Sequence, residues 1–174
     1  MTEETLSFGS KPYLILLAAL LVSRAADFLS TWIATPNLVL EANPIAKRLG
    51  WKIGILVNLA ICLVGAAFPV PAIMVATTSC LVAARNFQSA WIMRTMGEVQ
   101  YSQWFSFQIY QTRPSLFLLC TLGQVLLTAG LGTALFLFSH DHLVPLAIGL
   151  GMIGYAAAVL IFTLLATWRI LRNR

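Results

Sequence analysis

Five unbroken apolar stretches set the plan of this chain. They run from about Pro12 to Ala34, Trp51 to Phe68, Pro71 to Met93, Ser115 to Phe138 and Leu146 to Ile170. A hydrocarbon core about 30 Å thick is crossed by roughly 20 mainly apolar residues in a helix, and each stretch is about that long. The runs are continuous rather than alternating, which argues against the strands of a membrane barrel. The expected fold is therefore all-α: a polytopic membrane helical bundle of five transmembrane helices, forming a single membrane domain over residues 1–174.

Pro69-Val70-Pro71 divides the second stretch from the third and predicts a tight helical hairpin, because proline lacks an N–H and clashes with the preceding turn. Ser139-His140-Asp141-His142, followed by Pro145, predicts the other short turn. Residues 95–114 are too polar to span, yet they hold Tyr101, Trp104, Phe105, Phe107 and Tyr110 among glutamines and serines. That mixture suits the headgroup zone. Tyr101, Trp104 and Phe105 have helical spacing, whereas Phe105, Phe107 and Ile109 alternate. The segment is expected to be a cytoplasmic interfacial loop, either an interfacial helix or turn covering the bundle or an aromatic ligand platform.

Charge adds direction. Only 10 % of the residues are charged and 59 % are hydrophobic, with a mean hydropathy of +0.85. Soluble domains carry about 25 % charged residues, so a water-soluble enzyme and a disordered chain are excluded. The net charge of +5 is scattered rather than gathered on one face, so no nucleic-acid partner is expected. Lys11 alone falls on the face shared by the N-terminus and the two short turns. Lys47, Arg48, Lys52, Arg94, Arg113, Arg169, Arg172 and Arg174 fall on the other. Basic residues stay on the cytoplasmic side, which predicts N-out/C-in insertion, with a bacterial inner membrane as the expected location. Trp51, Trp104 and Trp168 lie near that same boundary, where amphipathic rings settle. A cleaved leader ending near Ala25 is the competing reading of the first stretch; Glu3, Glu4 and the apolar continuation through Ile33 argue against it.

Three charges remain inside the spans: Arg24, Asp27 and Arg85. Each is costly there, at about 2.5–3.5 kcal/mol near a helix centre on insertion scales. Ser23, Asp27 and Thr31 share one helix face at intervals of four residues. Asp27 lies about seven residues, roughly 10 Å, from the basic end of its helix, and Asn58, Arg85 and Gln124 fall at similar depth. Four helices thus offer polar groups to one layer. The layer reads either as packing glue, with Arg24 neutralising Asp27 at i, i+3 and the amides bonding across helices, or as a pocket with lone pairs left for a ligand. In the pocket reading, Asp27→Asn abolishes binding and leaves the bundle folded.

The most motif-like segment is Asp27-Phe28-Leu29-Ser30-Thr31 followed by Glu41-Ala42-Asn43-Pro44. Asn43 is expected to cap a short interfacial helix that starts at Pro44. Pro36 ends the first span and allows residues 38–42 to fold back toward Asp27. Glu41 then gives a second carboxylate, suited to a cation or a proton relay, unless it pairs in solvent with Lys47 or Arg48. The D-x-x-x-T … E-x-N-P pattern resembles the signature of an uncharacterised family of small bacterial integral membrane proteins, a domain of unknown function. The resemblance covers residues 27–44 and picks out Asp27, Thr31, Glu41, Asn43 and Pro44; it implies no activity.

Other signals carry less. Gly149-x-Gly151-x-x-Gly154 matches a dinucleotide fingerprint but sits inside a span with no preceding strand, so it reads as a packing face with Ala147 and Ala158. His140 and His142 lack an evident third ligand. Cys62, Cys80 and Cys120 are isolated and read as packing residues. No cofactor is expected. The candidate binding residues are Asp27, Thr31, Glu41, Asn43, Asn58, Arg85 and Gln124. The best reading is a small cation, proton or polar-solute binding or permeation protein. The alternatives are a non-catalytic accessory subunit, as a homo-oligomer or part of a larger membrane complex, and a membrane-embedded lipid-modifying enzyme. No histidine lies in the polar layer to act as an acid or base.

Overall fold

The computed structural model describes residues 5–140 and 142–172. Six helices are found among them, and no strand: α1 (Lys11–Ala34), α2 (Pro44–Gly65), α3 (Pro69–Met96), α4 (Glu98–Gln111), α5 (Pro114–Leu137) and α6 (Leu143–Arg172). All but α4 are long and apolar enough to cross a membrane. Asp141, in the expected outer turn, lies outside the described residues.

Local chemistry places the ends. Ser10 caps α1 by accepting the Tyr13 N–H at 3.4 Å, and Pro12 sits in the first turn, where an N–H has no partner to lose. Asn43 caps α2 by accepting from the Ile45 N–H at 3.0 Å. Gly50, at φ 65°, then breaks α2 into a short first piece, where a short helix was expected after Pro44, and a longer apolar piece. The prolines at 69 and 71 do not form the hairpin turn; they begin α3, and residues 66–68 make the turn. The same first-turn tolerance explains the shift.

Of the two conformations open to the expected interfacial loop, residues 98–111 take the helical one and form α4. Gly97, at φ 83°, separates α4 from α3. Tyr101 packs its ring against Trp104 and Phe105, with centroids 5.6 Å and 6.1 Å away, so the helical spacing won over the alternation. None of its residues is fully buried. Its Tyr110 hydroxyl donates to the Ile170 carbonyl at 2.7 Å, tying α4 to the end of α6.

Helix α3 is central, with α1 on one side and α6 on another; α5 covers α6, and α2 rests more lightly on α1 and α3. Arg24 meets Ser79 and Thr31 meets Asn86, each pair 55 residues apart, so α1 and α3 lie side by side and run in the same direction. Small residues make close approach feasible. Ser23 and Ser30 of α1, and Ser79, Ala83 and Ala90 of α3, are buried, whereas leucines such as Leu126, Leu127 and Leu131 of α5 face outward. Gly149 of α6 meets Gly132 of α5 backbone to backbone, and Gly151 meets Met74 and Thr77 of α3. The fingerprint-like glycines are therefore packing contacts, directed at two different helices.

Candidate functional site

The polar cluster is built around Arg24. Its Nη1 donates to Asp27 Oδ2 at 2.9 Å and to Ser79 Oγ at 3.0 Å, and its Nη2 donates to Asn58 Oδ1. Asn58 is itself oriented: its Nδ2 donates to the Gly54 carbonyl one turn back, at 2.8 Å, which leaves its oxygen for the guanidinium. The Arg24 guanidinium also lies 5.7 Å from the centre of the Phe28 ring. Asp27 therefore pairs with Arg24 and not with Arg85, the one ion pair among the described residues. The side chains of the pair are 25 % and 17 % exposed, half-sheltered rather than sealed. Asp27 Oδ1 accepts no hydrogen bond from a described residue and is not sealed away.

One turn further along α1, Asn86 Nδ2 of α3 donates to Thr31 Oγ1 at 3.2 Å and to Ser30 Oγ at 3.4 Å. Ser30 Oγ in turn donates to the Asp27 carbonyl at 2.8 Å. Thr31 thus holds α1 to α3 beside the cluster. Sequence reasoning missed Asn86 and Ser79. Their signal was a spacing of seven residues, which puts them on one helix face, but the neighbouring charge of Arg85 drew attention instead. Asn86→Leu is expected to loosen α1 from α3 by about 1 kcal/mol, since an interhelical hydrogen bond in a membrane is worth about 0.6 kcal/mol on average. Reversible unfolding in mixed micelles measures it; an unchanged midpoint would remove Asn86 from the interface.

Two expected members are not brought to the cluster. Arg85 is half-buried and has no hydrogen bond or ion pair with a described residue. It sits next to Asn86, which faces α1, and one residue of helix rotation (about 100°) turns it off that face. Gln124 is exposed on α5, which packs on α6 rather than on α1. The polar layer therefore comes from α1, α2 and α3, not from four helices.

Residues 35–43 cross the basic end of the bundle. Thr35 Oγ1 accepts from the Leu40 N–H at 3.1 Å, and Trp51 Nε1 donates to the Pro36 carbonyl at 2.8 Å. Leu38 takes φ 56°, the left-handed conformation that sharpens the bend. Glu41 is half-buried; its Oε1 accepts the Asn43 N–H at 2.7 Å, and it makes no ion pair with Lys47 or Arg48. Lys47 Nζ donates instead to the Val39 carbonyl at 3.4 Å. The Glu41 charge lies within electrostatic reach of Asp27. Asn43 serves as the α2 cap, so its side chain holds Glu41's segment rather than facing Asp27.

No group of three or more His, Cys, Asp or Glu that could hold a metal exists among the described residues. Cys62 is buried in the apolar core, and Cys80 and Cys120 are exposed. Beyond the cluster, at the basic end, lies an open groove of about 490 Å³ bordered by α1, α3, α4 and residues 36–39. Compared with family models, with curated proteins and with solved structures, the chain has no match.

Proposed function

We propose that this multi-pass membrane protein binds a small cation or a proton at Asp27 and gives it passage toward the basic end of the bundle. The observation that supports this most is Asp27 Oδ1, which is not sealed away and accepts no hydrogen bond from a described residue, while Arg24, Ser79 and Asn58 around it are bonded to one another. Charge bookkeeping points the same way. Arg24 supplies one positive charge, while Asp27 and Glu41 supply two negative ones, which leaves a net attraction for a single positive charge. The excess of basic residues at one end orients that end toward the cytoplasm, with the N-terminus outside, in a bacterial inner membrane.

Glu41→Gln tests the reading with little risk to the fold, because the amide oxygen still accepts the Asn43 N–H. Uptake of sodium, potassium and protons is measured separately in proteoliposomes. One of the three is expected to move, and Glu41→Gln is expected to slow it about tenfold, the loss of roughly 1.4 kcal/mol of attraction. No uptake of any of the three, or equal uptake by the variant, would overturn the proposal.

A second reading has its own observation. The three donor contacts of Arg24 link α1, α2 and α3, as packing glue would, and such a bundle serves an accessory subunit equally well. Co-purification of a stoichiometric partner or a stable homo-oligomer in mild detergent, with no uptake, would favour it.

A further inference from the structure

Of the three charges within the spans, Arg85 is the one that the Asp27 cluster leaves over. It lies on another side of α3. Thr78, seven residues earlier and so on the same helix face, donates to the Gly151 carbonyl of α6 at 2.9 Å. Leu81, four residues earlier, packs against the buried cluster of Val125, Tyr155, Ala156 and Val159 that α5 and α6 share. Arg85 therefore continues the face that α3 turns to α6. Close packing on that face ends where it stands. Among the described residues, none of α6 beyond Val159 and none of α5 from Pro114 to Gln124 is buried. On α3 only Ala90 is buried beyond Ala83, and it follows Asn86 by one turn on the side of α1. Toward the basic end the seam between α3, α5 and α6 is thus unsealed. Arg85 stands half-buried where it opens, with no hydrogen bond or ion pair to a described residue.

The chain offers this arginine no counterion. Of its six acidic residues, Asp27 is paired with Arg24, and Glu41 and Glu98 accept the Asn43 and Asn37 N–H groups at the basic end. Glu3, Glu4 and Asp141 belong by sequence to the end that carries Lys11. A charge inside a span is costly without a partner, so the partner comes from outside the chain. We infer that Arg85 holds the phosphate of one phospholipid from the leaflet at the basic end, with the acyl chains along the seam of α3, α5 and α6. The depth fits. Trp91, six residues or roughly 9 Å further along α3, is 66 % exposed, as a ring at the headgroup boundary is. A snorkelling arginine covers much of that distance, and its planar fork matches phosphate oxygens. The surroundings fit as well. Leu118 and Leu122 continue the Val125 face of α5, and Leu164 continues the Leu160 face of α6; all three are exposed and suit acyl chains. A soluble phosphate would find only apolar side chains there. The Asp27 cluster plays no part in this contact, so the inference stands whether or not that cluster carries a cation.

The purified full chain, delipidated in detergent, is titrated with phosphatidylcholine or with diacylglycerol of matched acyl chains, and retained lipid is counted by native mass spectrometry. The choline lipid carries no net charge, so scattered basic residues do not decide the outcome. Its retention is expected to exceed that of diacylglycerol at least about tenfold, a difference of roughly 1.4 kcal/mol. Arg85→Gln is expected to abolish that preference, whereas Arg94→Gln, at the basic end of the same helix, is expected to keep it. Excess inorganic phosphate distinguishes the sources: little displacement is expected, and full displacement would overturn the lipid assignment in favour of free phosphate. Equal retention of the two lipids by the unaltered protein would overturn the inference without reference to any variant. So would a second chain, of this protein or another, that is bound by the parent and lost in Arg85→Gln, since an acidic side chain would then be the partner.

Discussion

Asp27→Asn is expected to lower the stability of the bundle by about 3 kcal/mol, and adding Arg24→Met is expected to recover most of that loss. The reason lies in what the carboxylate does for its neighbour. Arg24 has three hydrogen-bond partners, but only Asp27 neutralises it. Removing one partner of a buried ion pair strands the other charge, at a cost of about 3–5 kcal/mol, whereas replacing both with apolar side chains is close to neutral. With 25 % and 17 % of the two side chains still exposed, the lower end of that range applies. Thermal or SDS-induced unfolding, followed by circular dichroism, measures both steps. An Asp27→Asn protein as stable as the parent would mean that the guanidinium finds water or lipid phosphate without cost. The geometry also changes what this substitution tests. A loss of uptake in Asp27→Asn alone would mix a missing ligand group with a disturbed Arg24, which is why Glu41→Gln is the cleaner probe. The stabilised double variant, folded but without the carboxylate, is the stronger one.

The second large effect is steric. Gly149→Ala is expected to push α5 off α6 and to cost about 1–3 kcal/mol, the range for overpacking a tight interior. A methyl group at that position would lie 2.5 Å from the Gly132 carbonyl oxygen and 2.8 Å from the Phe136 nitrogen. Both are backbone atoms and cannot rotate away. Gly130→Ala, also on α5, meets nothing within 4 Å. There the better helix propensity of alanine, worth up to about 1 kcal/mol, is expected to leave stability equal or slightly raised. Unfolding midpoints of the two variants, measured side by side, separate a packing role from a general dislike of substitution in these helices. Equal midpoints would remove the close contact between α5 and α6 from the account.

The spans were readable because a bilayer imposes a length and an apolar composition on every crossing helix, and those two demands leave a continuous mark. Helix starts were readable where a capping side chain stood before a proline, as at Asn43-Pro44. The path of residues 95–114 was not, since aromatic residues at an interface satisfy both a helix and an alternating strand, and only the ring contacts of Tyr101 decide between them. The polar cluster was half legible. Depth along each helix placed Asp27, Asn58, Arg85 and Gln124 at one level, but depth says nothing about azimuth. Arg85 shares the level and misses the face by one residue, while Ser79 and Asn86 occupy the face without the charge that marks a residue as unusual. Gln124 failed for a different reason. Which helices touch is a property of the whole bundle, and α5 is separated from α1 by the central helix.

The same-direction pairing of α1 with α3 has a consequence for how the chain is made. The α1 residues hydrogen-bonded across that interface meet partners synthesised 55 or 56 residues later. At roughly 5–20 residues per second, α1 waits in the translocon or the bilayer for seconds before Ser79 and Asn86 emerge. For the first part of that interval, until Asn58 of α2 follows 34 residues behind, Arg24 has only what its own helix supplies, and Asp27, three residues on, supplies it. The internal ion pair lets the first helix enter the membrane as a nearly neutral segment, ahead of the partners that later fix it in place.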